Sequence, residues 1–166
     1  MDRDAWDLSP DSVQRALEHL VPPSSGRVVR EAFYGTRRFE DFVRRTGLTP
    51  PVLSARLKEL EASEVIEKRP YREPGMRTRH EYVLTPRGLD LGTAIVALLT
   101  WADRWLPTPS GPTVLLEHRG CGSAVHARLV CEAGHDGFDV RAVLAHPGPG
   151  ARALADPGDP GHPGER

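Results

Sequence analysis

The sequence predicts a mainly α chain with a β-hairpin wing (α+β), arranged as a winged helix-turn-helix, with a small β-rich C-terminal extension and a disordered tail. Three observations carry this prediction. Two apolar-striped segments meet at Gly47-Leu48-Thr49-Pro50. A basic stretch broken by two prolines follows at once, between two short apolar runs. A longer helical pattern begins at Pro86. Helix, turn, helix, basic hairpin, helix is the order of a winged helix domain.

Taken in order, Val13, Ala16, Leu17 and Leu20 recur at three- and four-residue steps, which predicts an amphipathic helix over Ser12–Leu20. Pro22 and Pro23 read as its stop, because proline interrupts helical hydrogen bonding. Ser24, Ser25 and Gly26 then permit a restart, and Val28, Val29, Ala32 and Phe33 suit a second helix from Arg27 to Phe33, closed by Gly35. Phe39, Phe42 and Val43 stripe a third helix that ends at Gly47, a natural terminator. Thr49 takes the N-cap position of a fourth, with Pro50 in its first turn and Val52, Leu53, Leu57 and Leu60 on its buried face up to Ala62.

Val65, Ile66 and Glu67 begin an extended segment, and the run KRPYREPGMRTRH interrupts regular structure before Glu81–Thr85 resumes as a strand. Pro86 to Trp105 returns to helix, with Leu89, Ile95, Val96, Leu99, Ala102 and Trp105 available for packing. PTPSGP is a linker, after which Val114–Glu117, Val125–Val130 and Phe138–Val143 read as short strands. The chain thus divides into a winged helix-turn-helix and dimerisation domain at 11–106, a β-rich extension at 107–145 and a Gly/Pro-rich disordered tail at 146–166.

The formal net charge of -1 conceals an uneven distribution. Residues 27–87 hold 14 basic and 9 acidic side chains, whereas 1–26 hold 2 and 5 and 88–166 hold 6 and 9. A basic middle between acidic ends can present a positive surface to nucleic acid, or can merely solvate helices, and composition alone leaves both readings open. The start of the chain has no apolar run of signal-peptide length, and the longest apolar stretch, near Ile95, is too short to span a bilayer. A cytoplasmic protein without a membrane partner is expected. Cys121 and Cys131 do not make a disulfide framework; they read as reduced thiols, half of a metal site or a redox pair. No Gly-rich phosphate loop or HExxH is present, so neither a cofactor nor an enzymatic role is expected.

A helix fits the major groove of DNA and reaches base edges from residues near its N-terminus. On the fourth helix, Thr49, Ser54, Arg56 and Lys58 are therefore candidate DNA contacts, as are Arg37 and Arg38 ahead of the third. Each has a plainer reading: Thr49 as a cap, Ser54 as a small residue allowing close approach, the cations as surface charges. The hairpin loop holds Arg69, Arg72, Arg77 and Arg79, with Lys68 and His80, against Glu73 alone. Such a concentration of cations suits a phosphate backbone or a minor groove, or else a solvated loop. Tyr71 is read as packing the base of the hairpin. Because helix-turn-helix units read paired half-sites as dimers, Leu17, Leu20, Ile95, Leu98, Trp101 and Trp105 are the candidate dimerisation residues.

These residues carry a resemblance. REAFYGTRRFEDFVRRTGLTPPVLSARLKELEASEVIEKRPY, followed by RHEYVLTPRGLDL and WADRWL, resembles the HxlR family of bacterial winged helix regulators, related to the MarR group, over about residues 12–106. The run LSARLKELE and the element Y-x-L-T-x-x-G occur together at family spacing. The resemblance implies a dimeric transcription factor, a repressor or an activator, with double-stranded DNA as partner and in several members a small-molecule effector. It places the recognition helix on Thr49–Ala62, the wing on Glu64–Thr85 and the dimer on the first helix with Pro86–Trp105.

Three departures stand out. Met1–Asp11 has no cysteine, which excludes the thiol sensor many members carry there; PPSSGRVV is more polar than usual; and Pro51 stands where asparagine is common. The stretch HRGCG…LVCEAGH resembles a zinc-ribbon-like knuckle in which Gly134 occupies the last cysteine position. Cys121, Cys131, His135 and His118 are the residues such a site would draw on, against the reading of a metal-free β unit with ordinary cysteines. Two other functions compete with the DNA-binding reading. One is a protein-interaction module or regulator antagonist on the same fold. The other is a ligand-binding or enzymatic role centred on the Cys/His extension.

Overall fold

The computed structural model describes residues 5–9, 11–20, 23–72, 75 and 77–154. Five helices, α1 (Ser12–Leu20), α2 (Pro23–Phe33), α3 (Phe39–Thr46), α4 (Pro50–Ala62) and α5 (Pro86–Trp105), are joined by one hairpin of β2 (Ile66–Tyr71) and β3 (Arg79–Leu84). A second small sheet pairs β1 (Trp6–Asp7) with β4 (Arg152–Ala153). This is the predicted mainly α architecture with a wing. The chain forms two units, Leu17–Arg128 and a combination of Met1–Ala16 with Leu129–Arg166.

Burial of apolar side chains explains the larger unit. Val28 and Val29 of α2, Phe42 of α3, Leu53, Leu57 and Leu60 of α4, and Val65 and Ile66 at the start of the hairpin form one buried cluster. Each such side chain contributes about 1.5–3 kcal/mol when removed from water. Phe42 meets Tyr82 of β3 edge-on, with ring centroids 6.5 Å apart, so the wing is anchored directly to the helix-turn-helix.

Polar contacts fix the corners. Gly47 adopts a left-handed φ of 68° and donates its amide to the Val43 carbonyl, which closes α3. Arg27 reaches from α2 to the Thr46 carbonyl at 3.3 Å, adding a cation at that helix end. Glu31 is buried, yet it is paired with Arg30 at 2.8 Å and accepts from the Thr36 hydroxyl at 3.3 Å. A buried carboxylate is tolerable only with such partners.

The wing is also clamped to α5. Thr85 donates its hydroxyl to the Glu64 carbonyl at 2.5 Å, and the same oxygen accepts from the Gly88 amide at 3.1 Å. A Cβ on Gly88 would stand 2.1 Å from the Val65 carbonyl oxygen, so only glycine allows α5 this close to the base of the hairpin.

Several expectations need correction. α1 ends at Leu20, ahead of the two prolines, but α2 starts at Pro23 rather than at Arg27, because the first positions of a helix lack intrahelical partners and so tolerate a missing amide proton. The hairpin ladder continues through Lys68, Arg69, Pro70 and Tyr71, paired with Tyr82, Glu81, His80 and Arg79. The run KRPY is therefore strand, and Pro70 is accommodated because a two-stranded ribbon has only edges. In the extension, Val114–Glu117 and Val125–Val130 contribute only the isolated bridges Glu117 to Ala124 and Val130 to Asp136. Phe138–Val143 contains a 3-10 turn, Val140–Ala142, where a strand was expected. The division falls between Arg128 and Leu129, inside the predicted 107–145 extension. Arg152 and Ala153 of the predicted tail are paired with Asp7 and Trp6, and residues 155–166 lie outside those described.

Candidate nucleic-acid interface

The turn between α3 and α4 is built by short-range bonds. Thr46 donates its hydroxyl to the Phe42 carbonyl at 2.6 Å and accepts from the Leu48 amide at 3.2 Å. Thr49 then turns the chain with an extended backbone, φ -68° and ψ 149°, and its carbonyl accepts the first helical bond, from Leu53, at 2.9 Å. Thr49 occupies the N-cap position, but its hydroxyl makes no cap bond. That exposed hydroxyl stands at the first turn of α4, where Pro50 and Pro51 carry no amide proton to offer an anion.

Because Leu53, Leu57 and Leu60 face the core, the opposite side of α4 presents Pro51, Ala55 and Lys58 to solvent. Ser54 is half-buried at the margin of that face. Arg56 does not share it. It lies three residues from Leu53 and four from Leu60, forms an ion pair with Glu59 at 2.5 Å, and is only 27% exposed. Its Nε is buried without a hydrogen-bond partner. Arg56 is thus a border residue of the core, contrary to its expected place among the contacts.

Arg37 and Arg38 sit at the base of the wing. The Arg37 carbonyl accepts from the Tyr82 amide at 2.8 Å, its guanidinium lies 4.0 Å from Glu81, and Arg38 forms a bridge with Glu81. The Arg38 guanidinium also covers the Tyr71 ring at 5.2 Å from its centroid, which places Tyr71 at the hairpin base as expected. Burial, then the carboxylates of Glu61 and Glu40, hold the Tyr82 hydroxyl above its ordinary range.

Along the wing, Arg69, Arg72, Arg77 and Arg79 are all exposed. Arg69 is paired with Glu67 on its own strand. Lys68 and His80 of the same cation group are exposed on the ladder as well. Counting alternate residues from Ile66 and Leu84 would have separated the two faces of the ribbon.

On α5, Leu98, Trp101 and Trp105 are exposed, whereas Ile95 packs against the core cluster and leaves the set of candidate dimer contacts. Leu17 is half exposed on α1, and the side chain of Leu20 lies outside the described ones. The extension brings His118 within 3.3 Å of Cys121 and His135 within 3.4 Å of Cys131. Among the described residues, no group of three or more His, Cys, Asp or Glu side chains could hold a metal ion. No described helix is long and apolar enough to cross a membrane.

Residues 25–110, more than half of the chain, match the family described as HxlR-like helix-turn-helix. The chain belongs to that family. This HxlR-like protein is 41% identical over 143 residues to an uncharacterised HTH-type transcriptional regulator of Mycobacterium tuberculosis (strain H37Rv), covering 86% of this chain and 89% of the relative. It is also similar to two solved structures of candidate transcription factors. PA1607 matches with a TM-score of 0.72 at 27% identity, covering 83% of this chain and 95% of the other. PA1374 of Pseudomonas aeruginosa matches with a TM-score of 0.56 at 28% identity, covering 83% and 92%. Its fold and its relatives make this HxlR-like protein a DNA-binding transcriptional regulator.

Proposed function

We propose that this regulator works as a homodimeric repressor, with the first turns of α4 in the major groove and the β2–β3 wing along the phosphate backbone. The observation that carries the dimer is the apolar stripe on α5. Leu98, Trp101 and Trp105 are 66%, 55% and 60% exposed and recur at helical spacing on one face. Aromatic side chains bury roughly 150–250 Å² each and dominate interfaces, so two tryptophans on one face favour a protein partner. A second copy supplies the same stripe through a two-fold axis.

The reading of DNA rests on Thr49, Ser54 and Lys58 of α4, with Arg72, Arg77 and Arg79 of the wing as backbone contacts. Arg37 and Arg38 brace the wing base and keep exposed guanidinium edges for phosphate. Repression follows from occupancy of a promoter and requires no catalytic step. Selection of bound duplexes from a random pool tests the proposal. The expected product is a pair of inverted half-sites about 10 bp apart, centre to centre, or a multiple of that spacing. A Trp101→Glu/Trp105→Glu variant is expected to sediment as a monomer and to lose the paired-site preference. A wild-type monomer, or unpaired single sites, would contradict it.

A further inference from the structure

The inward face of α5 runs past the core that it helps to close. Gly92 and Val96 are buried, and Leu99 and Asp103 follow on the same face at three- and four-residue steps. Leu99 is half-buried, yet it lies outside the core cluster of the winged helix. Facing it is the stretch 114–126, which lies beyond the segment 25–110 matched to the family. That stretch is folded back on itself. The Val125 amide donates to the Leu116 carbonyl at 2.9 Å, the His118 amide donates to the Ser123 carbonyl at 2.8 Å, and Glu117 bridges to Ala124.

The two walls do not close on each other. Val114 and Leu116 are only half-buried, Val125 remains exposed, and with Leu99 they line a cleft of about 410 Å³. Apolar walls, a volume of that size and a few polar groups are the ordinary makings of a small-molecule site. The charge of those polar groups is uneven. Asp103 on α5 and Glu117 on the facing wall both line the cleft. Among the described residues, neither carboxylate is held by a hydrogen bond or an ion pair. Arg104 and His126 line it too, but the Arg104 guanidinium lies over the Trp105 ring, 4.9 Å from its centroid. The Thr100 hydroxyl donates to the Val96 carbonyl at 2.8 Å. Two carboxylates without a counter-ion beside apolar walls favour a cationic head on an apolar body and oppose an anion.

We propose that the cleft between α5 and residues 114–126 binds a small organic amine in its ammonium form. Asp103 and Glu117 take the ammonium group, and Leu99, Leu116 and Val125 cover the hydrocarbon body. The site uses none of the residues assigned to DNA or to the dimer, so its test is independent of both readings.

Three probes of one shape and different charge test it: 2-phenylethylamine, 2-phenylethanol and phenylacetate, each titrated into the full chain at neutral pH and followed by amide NMR shifts. The amine is expected to bind at least about tenfold more tightly than the alcohol, and phenylacetate most weakly. The shifts that saturate should map to residues 99–104 and 114–126. Asp103→Asn/Glu117→Gln is expected to weaken the amine at least about fivefold and to leave the alcohol within about twofold. Asp90→Asn, which removes an exposed carboxylate elsewhere on α5, should change neither. Equal affinities for the three probes, saturating shifts confined to other residues, no saturable binding of the amine, or an amine affinity unmoved in the double variant would overturn the proposal.

Discussion

Every buried residue among those described lies between Ser25 and Val96, while the chain from Ala97 to Leu154 contributes none. The earlier stretch is held by side chains that leave water together, from Val28 through Phe42 and Leu57 to Ile66. The later stretch is held by backbone bonds and by turns at Gly111, Gly122, Gly134 and Gly137, all with left-handed backbone. It leaves Leu106, Leu115 and Leu144 facing solvent, continuing the exposure of Leu98, Trp101 and Trp105 on α5. One region folds around its own core and carries the elements proposed to read DNA. The other is shaped by turns and leaves apolar side chains exposed.

The sharpest break in that comparison is a pair of truncations. Phe42→Ala is expected to cost about 3–5 kcal/mol, because it empties the centre of the buried cluster. Leu144→Ala, at a site 77% exposed, is expected to change stability by less than about 0.5 kcal/mol. Urea melts of the two variants would show it, and equal costs would erase the distinction.

Gly88→Ala comes next. An added methyl 2.1 Å from the Val65 carbonyl oxygen must push α5 away from the wing base, at a cost of about 1–3 kcal/mol or more. Gly111→Ala offers a control within the turn-held region. No atom lies within 4 Å of its Cβ position, so the loss there reflects only the left-handed φ of 83°, about 1 kcal/mol. The smallest effect separates two threonines at helix starts. Thr85→Ala is expected to cost about 1 kcal/mol, because its oxygen accepts from Gly88. Thr49→Ala should cost only a few tenths, because its hydroxyl makes no cap bond. Thermal melts that rank Thr49 above Thr85 would reverse this assignment.

The legible parts of the fold were those with two agreeing local signals. α3 and α4 combine apolar periodicity with a glycine stop and a proline start, and their predicted and observed ends agree at Gly47 and Pro50. The element Tyr82-x-Leu84-Thr85-x-x-Gly88 entered as a pattern only. The structure supplies its physics: a core-facing tyrosine, a capping threonine and a glycine pressed on a carbonyl.

What remained illegible depended on angle or on tertiary pairing. The charge of Arg56 suits a DNA contact, but its position three residues after Leu53 turns it toward the core margin. Ile95 was apolar on the right helix and still belonged to the inward side. Pro70 concealed four positions of β2, Lys68 to Tyr71, because edge strands tolerate a missing amide proton. The pairing of Trp6 with Ala153 joins opposite ends of the chain, and no local pattern announces it.

In the proposed complex the wing engages phosphate beside α4. The most direct measurement is the salt dependence of duplex binding for the wild type and for Arg72→Ala/Arg77→Ala. The double variant is expected to bind cognate and random duplexes alike more weakly, with the slope of log affinity against log salt reduced by about 2. Affinity and slope identical to the wild type would contradict it.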